Sequence, residues 1–288
     1  MATRRIVFLS QDDMGHYVCD DDVALPAFTA RDLAVETISW RADADWSQFD
    51  AVIVRSTWDY QRDADAFFDA LTIIDAQTRL ANPLAMMRWN MDKHYLQGLA
   101  DKGVVTVPTR FGHGLTQAAL ADLRAADGRE WVIKPTISAG ADRTFRIPVD
   151  ASEELSTEIV AAHADSDWMW QPFLNQVVAE GEYSLFYFSG DFSHAIVKKP
   201  KTGDFRVQEE FGGDIRTFEP EPSMLDCGRS VLAALSETPL YARVDIVRDG
   251  NRWLLIELEL IEPSLYLRTD PPAGERFADA VVDWLSTA

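Results

Sequence analysis

The stretch YARVDIVRDGNRWLLIELELIEPS, residues 241–264, contains two β-rich segments separated by Asp249-Gly250, which is a strong signal for a β-hairpin. In the second segment Glu257 and Glu259 alternate with leucines, so both carboxylates lie on one face of a strand, roughly 7 Å apart. Paired carboxylates repel each other unless a cation lies between them, and magnesium binds one or two carboxylates together with substrate phosphates. The stretch therefore predicts either a magnesium site or, as an equally weighted alternative, a strand with exposed surface acids.

The length of the turn decides whether Asp245 joins these glutamates. A two-residue Asp-Gly loop would place Asp245 on the leucine face, opposite Leu254. A three-residue loop formed by residues 249–251 would place Asp245 opposite Leu255 instead, on the face of the glutamates. We predict this second register, or a bulge with the same effect. The residues that would then share one face are Arg243, Asp245, Glu257 and Glu259.

Composition indicates a folded, cytoplasmic protein. The 288 residues are 47% hydrophobic with a net charge of −20, and they contain only two cysteines, Cys19 and Cys227, without CxxC spacing. The start of the chain does not resemble a signal peptide, and no run of about 18 apolar residues occurs. The excess negative charge argues against nucleic acids and anionic membranes as partners. Whether the chain forms a homodimer is left open.

Periodicity predicts a mixed α/β (α+β) fold of several layers. Strands are expected at 5–10, 34–40 and 51–55, and helices at 64–77, 86–102, 116–126, 152–164 and 275–286. From Tyr183 onward the pattern favours antiparallel strands, including one over 205–211. We expect an N-terminal α/β subdomain (1–83), a linker helix with a small central subdomain (84–174) and a C-terminal antiparallel-sheet subdomain (175–288).

Basic residues occur where phosphate groups could be bound. Lys134 ends a β-rich run and is followed by small residues that include Ser138 and Gly140, which would let backbone N–H groups approach phosphate oxygens. Lys93 begins a helical segment, where a cation is not favoured by the helix dipole unless it meets an anion. A further cluster, Lys198, Lys199, Lys201 and Arg206, is expected to bind anions. No GxxxxGK[ST] or GxGxxG motif is present.

Two further segments could contact a ligand. Gln171, Phe173 and Leu174 surround a proline and read as a hinge with free backbone groups for a purine edge, although a plain connection is the default interpretation. Arg55, Ser56 and Trp58 follow a buried strand, where open α/β layers commonly bind ligands. Arg55 is expected to bind a substrate carboxylate or, with similar weight, to form a structural ion pair. His16 and Asp20–Asp22 could border the mouth of the site.

In this order, the segments resemble the ATP-grasp superfamily and, within it, the glutathione-synthetase-like branch. The resemblance implies ATP and two Mg²⁺ ions as cofactors, with Mn²⁺ as an alternative. It implies a nucleotide site at Lys93, Lys134, Ser138, Gly140, Gln171, Phe173, Leu174 and Glu180, where Glu180 would meet the ribose. It also implies metal ligands at Asp245, Glu257 and Glu259, of which Glu259 departs from the usual asparagine. Catalytic cations are expected at Arg206 and Lys198, and substrate contacts at Arg55, Ser56, Trp58, Arg243 and Ser264.

A narrower resemblance involves VRSTWDY (54–60), NPLAMMRWNMDK (82–93), KPTISAG (134–140) and KPKTGDFRVQEEFGG (199–213). These segments are similar to the subgroup that contains the D-cycloserine-forming cyclo-ligase. The implied function is an ATP-dependent carboxylate–amine ligase or cyclo-ligase that acts on a small amino-acid-like carboxylate through an acyl phosphate. The alternatives are a peptide-tailoring ligase or kinase with a larger acceptor and, with less support, a non-catalytic nucleotide-binding module.

Overall fold

The computed structural model describes residues 3–15, 17–125 and 128–287, so that His16 and the last residue of the predicted helix 116–126 lie outside them. The chain begins with four parallel strands in the order β2-β1-β3-β4. Apolar side chains alternate along these strands, and the sheet therefore has a core on each face. The elements of this layer are β1 (Arg4–Ser10), α1 (Leu25–Thr29), β2 (Leu33–Ser39), β3 (Ala51–Ser56), α2 (Ala64–Asp75) and β4 (Arg79–Ala81).

A second layer is an antiparallel sheet with the strand order β5-β8-β6-β7. The helix predicted over 86–102 is two helices, because the chain is extended at Asp92 and the Lys93 N–H donates to the carbonyl of Thr136, 2.9 Å away. The elements here are α3 (Leu84–Met91), α4 (Tyr95–Asp101), β5 (Arg110–His113), α5 (Gln117–Ala125), β6 (Trp131–Pro135), β7 (Phe145–Ile147), α6 (Glu153–His163) and β8 (Asp167–Pro172).

The third layer is an antiparallel sheet with the order β11-β10-β9-β12-β13. The prediction of a strand over 205–211 is wrong. Asp204 accepts hydrogen bonds from the backbone N–H groups of Phe205 and Arg206, and a short 3-10 turn follows at Glu209–Phe211. The elements are α7 (Gln176–Ala179), β9 (Glu182–Phe188), β10 (Asp191–Lys199), β11 (Asp214–Thr217), α8 (Pro222–Ala233), β12 (Tyr241–Asp249), β13 (Arg252–Glu259) and α9 (Ala273–Ser286).

The hairpin of β12 and β13 reaches the predicted face by a bulge rather than by a long loop. Asp249 pairs with Arg252, so the loop has two residues and the three-residue loop is wrong. The register then shifts by one residue between Asp245 and Ile246, and as a result Asp245 lies opposite Glu257 and Arg243 opposite Glu259. The predicted bulge alternative is confirmed, and the four charged residues share one face.

Polar contacts join the first and third sheets. The Tyr241 hydroxyl lies 2.9 to 3.1 Å from the carbonyl oxygens of Val54, Ala81 and Ile261. The Asn82 side chain donates to the carbonyls of Tyr241 and Leu260.

The mixed α/β class is confirmed, whereas the division into subdomains at 83 and 174 stays a prediction. Within the described ranges, no helix is both long and apolar enough to cross a membrane.

Candidate active site

A cleft of about 240 Å³ is bounded by residues of the second and third sheets and by loop residues of the N-terminal layer. It brings together most of the side chains expected at the nucleotide, the metal and the substrate. The predicted residues that line it are Trp58, Lys93, Lys134, Ser138, Gly140, Gln171, Phe173, Leu174, Lys198, Arg206, Arg243, Asp245, Glu257, Glu259 and Ser264. These residues are separated by up to about two hundred positions in the sequence, so the cleft is a product of the tertiary fold.

Glu257 on β13 faces two lysines across the cleft. Its Oε1 lies 3.3 Å from Lys93 Nζ, and its Oε2 lies 4.0 Å from Lys134 Nζ. Burial alone would raise the pKa of Glu257, but the two ammonium groups outweigh it and hold this pKa below its usual range. Burial lowers the pKa of Lys134 despite the nearby Glu257. The predicted cationic and acidic halves of the site therefore meet at Glu257.

Asp245 is enclosed by donors. Its side chain is 2% exposed and accepts hydrogen bonds from Ser184 Oγ at 2.5 Å, Arg243 Nη2 at 3.0 Å and Lys198 Nζ at 3.3 Å. Burial opposes ionisation, but Arg243 and Lys198 lower the pKa of Asp245 to about 2. Arg243 also binds Glu259, whose pKa burial raises to about 7 despite this contact. The carboxylate of Asp245 is thus ionised and fully engaged by protein groups.

The three carboxylates predicted to bind a metal share one face of the hairpin, and their role as metal ligands stays a prediction. Among the described residues, no group of three acidic, histidine or cysteine side chains is placed to hold a metal ion. The reason is that Arg243 lies between Asp245 and Glu259, while Lys198 fills the other side of Asp245. Glu257 and Glu259 keep 29% and 28% of their side-chain surface exposed to the cleft. Two hard oxygen donors of this kind fit a magnesium ion that also binds phosphates.

The loop after β6 is held beside the lysines. Lys93 Nζ donates to the Ser138 carbonyl at 2.8 Å, and the Lys93 N–H is bonded to Thr136. Gly140 and Ala141 both have a positive φ, of +60° and +58°, which turns the backbone sharply within the loop. Lys93 therefore fixes the position of the small-residue segment at the edge of the cleft, where backbone N–H groups can meet phosphate.

The hinge after β8 and the loop after β10 form another wall. Gln171 Nε2 donates to Thr109 Oγ1 at 2.9 Å, and the Phe173 N–H donates to the Glu130 carbonyl. Arg206 pairs with Asp204 at 2.7 Å, and its guanidinium carbon lies 3.9 Å from the ring centroid of Phe211. Arg206 remains partly exposed, with 37% of its side chain accessible.

Three of the residues predicted to contact the nucleotide or the substrate lie outside the cleft lining, as do Asp20–Asp22, Lys199 and Lys201. Glu180 pairs with Arg248 at 2.8 Å on another surface, so its placement at a ribose is not supported. Arg55 is 1% exposed and pairs with Asp21 at 2.7 Å, which is the structural ion pair that the sequence left open. Ser56 is buried beside it without lining the cleft.

Sequence reasoning missed several residues of the cleft, namely Tyr60, Tyr95, Glu182 and Glu262. Glu182 was the most accessible to reasoning, because Ser184 lies opposite Asp245 and strand alternation puts Glu182 on the same face. Its carboxylate lies 2.5 Å from Lys198 Nζ. Gly181, with φ +112°, turns the chain between Glu180 and Glu182, and a Cβ there would lie 2.8 Å from the Lys198 carbonyl.

Similar proteins agree with this geometry. The family model "D-cycloserine synthetase DcsG, N-terminal domain" matches residues 6–82. The cycloserine biosynthesis protein DcsG of Streptomyces lavendulae is 32% identical over 272 residues, which cover 88% of this chain and 89% of that protein. A crystal structure of D-cycloserine synthetase DcsG superposes with a TM-score of 0.86 at 28% identity, covering 98% and 99% of the two chains. D-alanine–D-alanine ligase of Bacillus anthracis has a TM-score of 0.68 at 14% identity, with 98% and 97% covered.

The three-layer fold and the cleft with facing lysines and carboxylates define an ATP-dependent ligase of the ATP-grasp class. The chain belongs to the DcsG family. The resemblance to the ATP-grasp superfamily and to the cyclo-ligase subgroup is thereby confirmed, as is the assignment of the chain as an enzyme. Ligases of this class use ATP and Mg²⁺.

Proposed function

We propose that this enzyme uses ATP to activate the carboxylate of a small amino-acid-like substrate, and that a nitrogen of the same molecule then closes a ring. The preferred reaction is the cyclisation of an O-ureido-serine to cycloserine, since the relative with 32% identity takes part in cycloserine biosynthesis. The observation that carries the proposal is the meeting of Glu257 with Lys93 and Lys134 in a cleft that also contains Arg243.

The chemistry requires an activated acyl group because oxide is a very poor leaving group. Transfer of the γ-phosphoryl group to the carboxylate releases ADP and gives an acyl phosphate. Attack by the ureido nitrogen next to oxygen forms the ring C–N bond, expels phosphate and releases a proton. To yield cycloserine, the carbamoyl group must then be removed from this nitrogen by water. The protein contributes mainly position and charge neutralisation, and no covalent protein nucleophile is needed.

The residues of the cleft suit these tasks. Lys93 and Lys134 would bind the nucleotide phosphates together with the loop of Ser138 and Gly140, and Arg206 would approach the transferred group from the opposite wall. Magnesium, when bound, neutralises charge on the phosphate oxygens. Glu257 and Glu259 would hold it, as two ions or with Mn²⁺ in its place. Asp245 and Lys198, which are already paired, would position Arg243 against the substrate carboxylate.

The purine and the ribose would lie in the part of the cleft that is lined by the hinge after β8. Gln171, Phe173 and Leu174 line this part of the cleft, and the ring of Phe173 is held under Arg146, whose guanidinium carbon lies 3.8 Å from the ring centroid. We propose Glu182 in place of Glu180 as the acid nearest the ribose, since Glu182 lines the cleft and Glu180 does not. Trp58 and Ser264 line the substrate end.

A hydroxylamine-trapping assay tests the proposal. Purified enzyme is incubated with ATP, MgCl₂ and O-ureido-D-serine, and ADP and cycloserine are measured by mass spectrometry. A pool of amino acids and small carboxylates is tested in parallel. We expect substrate-dependent ADP release, ring formation, and a hydroxamate when hydroxylamine intercepts the acyl phosphate. A stable phosphorylated product would instead indicate the kinase alternative, and the lack of ADP release with every small carboxylate would contradict the proposal.

A further inference from the structure

The substrate end of the cleft contains an acidic residue for which no role has been assigned. Glu262 lines the cleft three residues after Glu259, at the point where β13 has ended. Its backbone is fixed to the first sheet, because Trp58 Nε1 donates to the Glu262 carbonyl at 2.9 Å. Arg55 donates to the next carbonyl, that of Pro263, at 3.1 Å. This part of the wall is therefore rigidly placed beside Trp58.

Glu262 differs from Glu182, Asp245 and Glu257 in lacking an ion-pair partner among the described residues. Glu257 is paired with two lysines, Asp245 with Arg243 and Lys198, and Glu182 with Lys198. Within the described part of the chain, the Glu262 carboxylate has no ion-pair partner within 4.0 Å, and the nearest cations, Lys93 and Arg243, act on it only from a longer distance. Burial, together with the like charge of Glu259, raises the pKa of Glu262 to about 8. An ionised carboxylate at this position therefore calls for a positive charge from a ligand.

Aromatic side chains line the same cleft as Glu262. Tyr60 is 4% exposed and lines the cleft, and its hydroxyl has no hydrogen-bond partner among residues 3–15, 17–125 and 128–287. The Tyr17 and Trp58 rings pack together with centroids 5.4 Å apart and also line the cleft. Aromatic faces beside a carboxylate provide a favourable environment for an organic ammonium group. A purely structural aromatic cluster would not need the unpartnered hydroxyl and carboxylate to face the cavity.

The position relative to Arg243 fits an α-amino acid. Arg243 Nη1 lies 3.4 Å from the Ser264 carbonyl, and Ser264 is two residues from Glu262 on the same inward face of the segment. The intervening Pro263 is buried away from solvent, whereas Glu262 and Ser264 remain partly accessible. The carboxylate and the ammonium of an α-amino acid are attached to one carbon atom, so their protein partners must lie close together. Arg243 contacts the segment that carries Glu262, through the Ser264 carbonyl.

We propose that Glu262 and Tyr60, with the rings of Trp58 and Tyr17, form a subsite for the α-ammonium group of the substrate. The enzyme then selects amino acids over the corresponding carboxylic acids that lack the amino group. This inference rests on the proposed function, since it takes the substrate carboxylate to be activated beside Arg243. It adds the group that determines which carboxylates are accepted.

Isothermal titration calorimetry with MgCl₂ and a non-hydrolysable ATP analogue tests the subsite without requiring turnover. The ligands are matched pairs with and without the amino group: O-ureido-D-serine and 3-(ureidooxy)propanoate, D-alanine and propanoate, and D-serine and 3-hydroxypropanoate. We expect the wild-type enzyme to bind at least one amino acid about 10- to 100-fold more tightly than its partner acid. Glu262→Gln should reduce this ratio to within about twofold, and Tyr60→Phe should reduce it by a smaller factor.

Two further variants separate charge from fold. Glu262→Asp keeps the carboxylate and should restore part of the discrimination, whereas Glu210→Gln removes another cleft-lining acid and should leave the ratio unchanged. Circular dichroism and thermal melting check that each variant is folded. The subsite is overturned if the wild type binds both members of every pair equally, if it binds no amino acid, or if Glu262→Gln keeps the full ratio. If the enzyme did not bind O-ureido-D-serine but bound another amino acid more tightly than its partner acid, the result would contradict the proposed reaction and support the subsite.

Discussion

Two regions of the molecule each contain a buried arginine paired with an aspartate, and they serve different purposes. At the end of β3, Arg55 is 1% exposed, binds Asp21 and the Pro263 carbonyl, and lies 5.5 Å from the ring centroid of Tyr241. On β12, Arg243 is 9% exposed, binds Asp245 and Glu259, and lines the cleft. The guanidinium of Arg55 is enclosed by other protein groups, including the ring of Tyr241, whereas that of Arg243 faces a cavity on one side.

The difference shows that residue type and strand position do not by themselves make a ligand group. Arg55 lies at the carboxyl end of a parallel strand, at the edge where open α/β sheets bind ligands, yet its guanidinium joins the first sheet to the segment after β13. Arg243 lies in the middle of an antiparallel strand, but its partners leave it facing the cleft. We therefore expect substitutions in the first region to affect stability and substitutions in the second to affect turnover.

The largest effect is expected for Glu257→Gln. The loss of one carboxylate charge removes the counter-charge of Lys93 and Lys134 and one oxygen donor for magnesium. Turnover should fall at least about 1000-fold, whereas the free energy of unfolding should fall by only about 1 to 3 kcal/mol, because the buried ammonium groups lose a charge but keep a polar partner in the glutamine. Initial rates of ADP formation and urea denaturation measure the two quantities.

Glu180→Gln is the matched control for this experiment, since Glu180 is paired with Arg248 outside the cleft. Its rate should remain within about twofold of the wild-type rate, because this partly exposed ion pair contributes little. Full activity of Glu257→Gln would refute the assignment of Glu257 to the metal and nucleotide site.

The comparison itself is tested by Arg55→Met and Arg243→Met. Arg55→Met leaves the carboxylate of Asp21 without its partner and should lower the free energy of unfolding by about 3 to 5 kcal/mol, with kcat of the folded enzyme nearly unchanged. Arg243→Met should lower kcat/KM about 100-fold, with a smaller loss of stability because Lys198 and Ser184 still bind Asp245. Urea denaturation and steady-state kinetics on both variants provide the measurements. A stable but inactive Arg55→Met would restore Arg55 as a substrate ligand.

Much of the fold could be predicted from local patterns. Alternating side chains and the Asp249-Gly250 turn indicated the hairpin, and continuous apolar runs indicated the parallel layer. The bulge that turns Asp245 towards Glu257 could not be located, because inserting one residue near Ile256 depends on how β13 packs against β12 and against the distant segment at Thr106. The strand predicted over 205–211 failed because Asp204 binds the local backbone N–H groups, which favours a turn.

The site was less predictable where long-range partners determine the outcome. The ion pair that makes Arg55 structural comes from Asp21, in a different segment of the chain. The choice between Glu180 and Glu182 depends on the turn at Gly181, whose close approach to the Lys198 carbonyl arises only in the folded protein. Glu262 gave no sequence signal of its own. Its significance lies in the lack of an ion pair among the described residues and in the aromatic side chains that distant segments bring to the cleft.

A third buried group, His163 at the end of α6, extends the comparison to a site with no charge partner. It is 0% exposed, packs edge-on against Phe145, and neither ring nitrogen has a hydrogen-bond partner among the described residues. Burial lowers the pKa of His163 from 6.5 to about 4. Between pH 6.5 and 4 the unfolded chain therefore binds a proton that the folded chain does not, and this residue's contribution to stability decreases as the pH falls through that window.

We expect His163→Leu to remove this contribution and so to flatten the dependence of stability on pH. Between pH 7.5 and pH 5, the wild-type protein should lose about 1 to 2 kcal/mol more of its free energy of unfolding than the variant does. Urea denaturation at both pH values measures the difference. If the free energy of unfolding changed equally with pH in the wild type and in His163→Leu, protonation of the buried imidazole would cost nothing. A buried cation in this fold would then need no partner of the kind that Asp21 provides for Arg55.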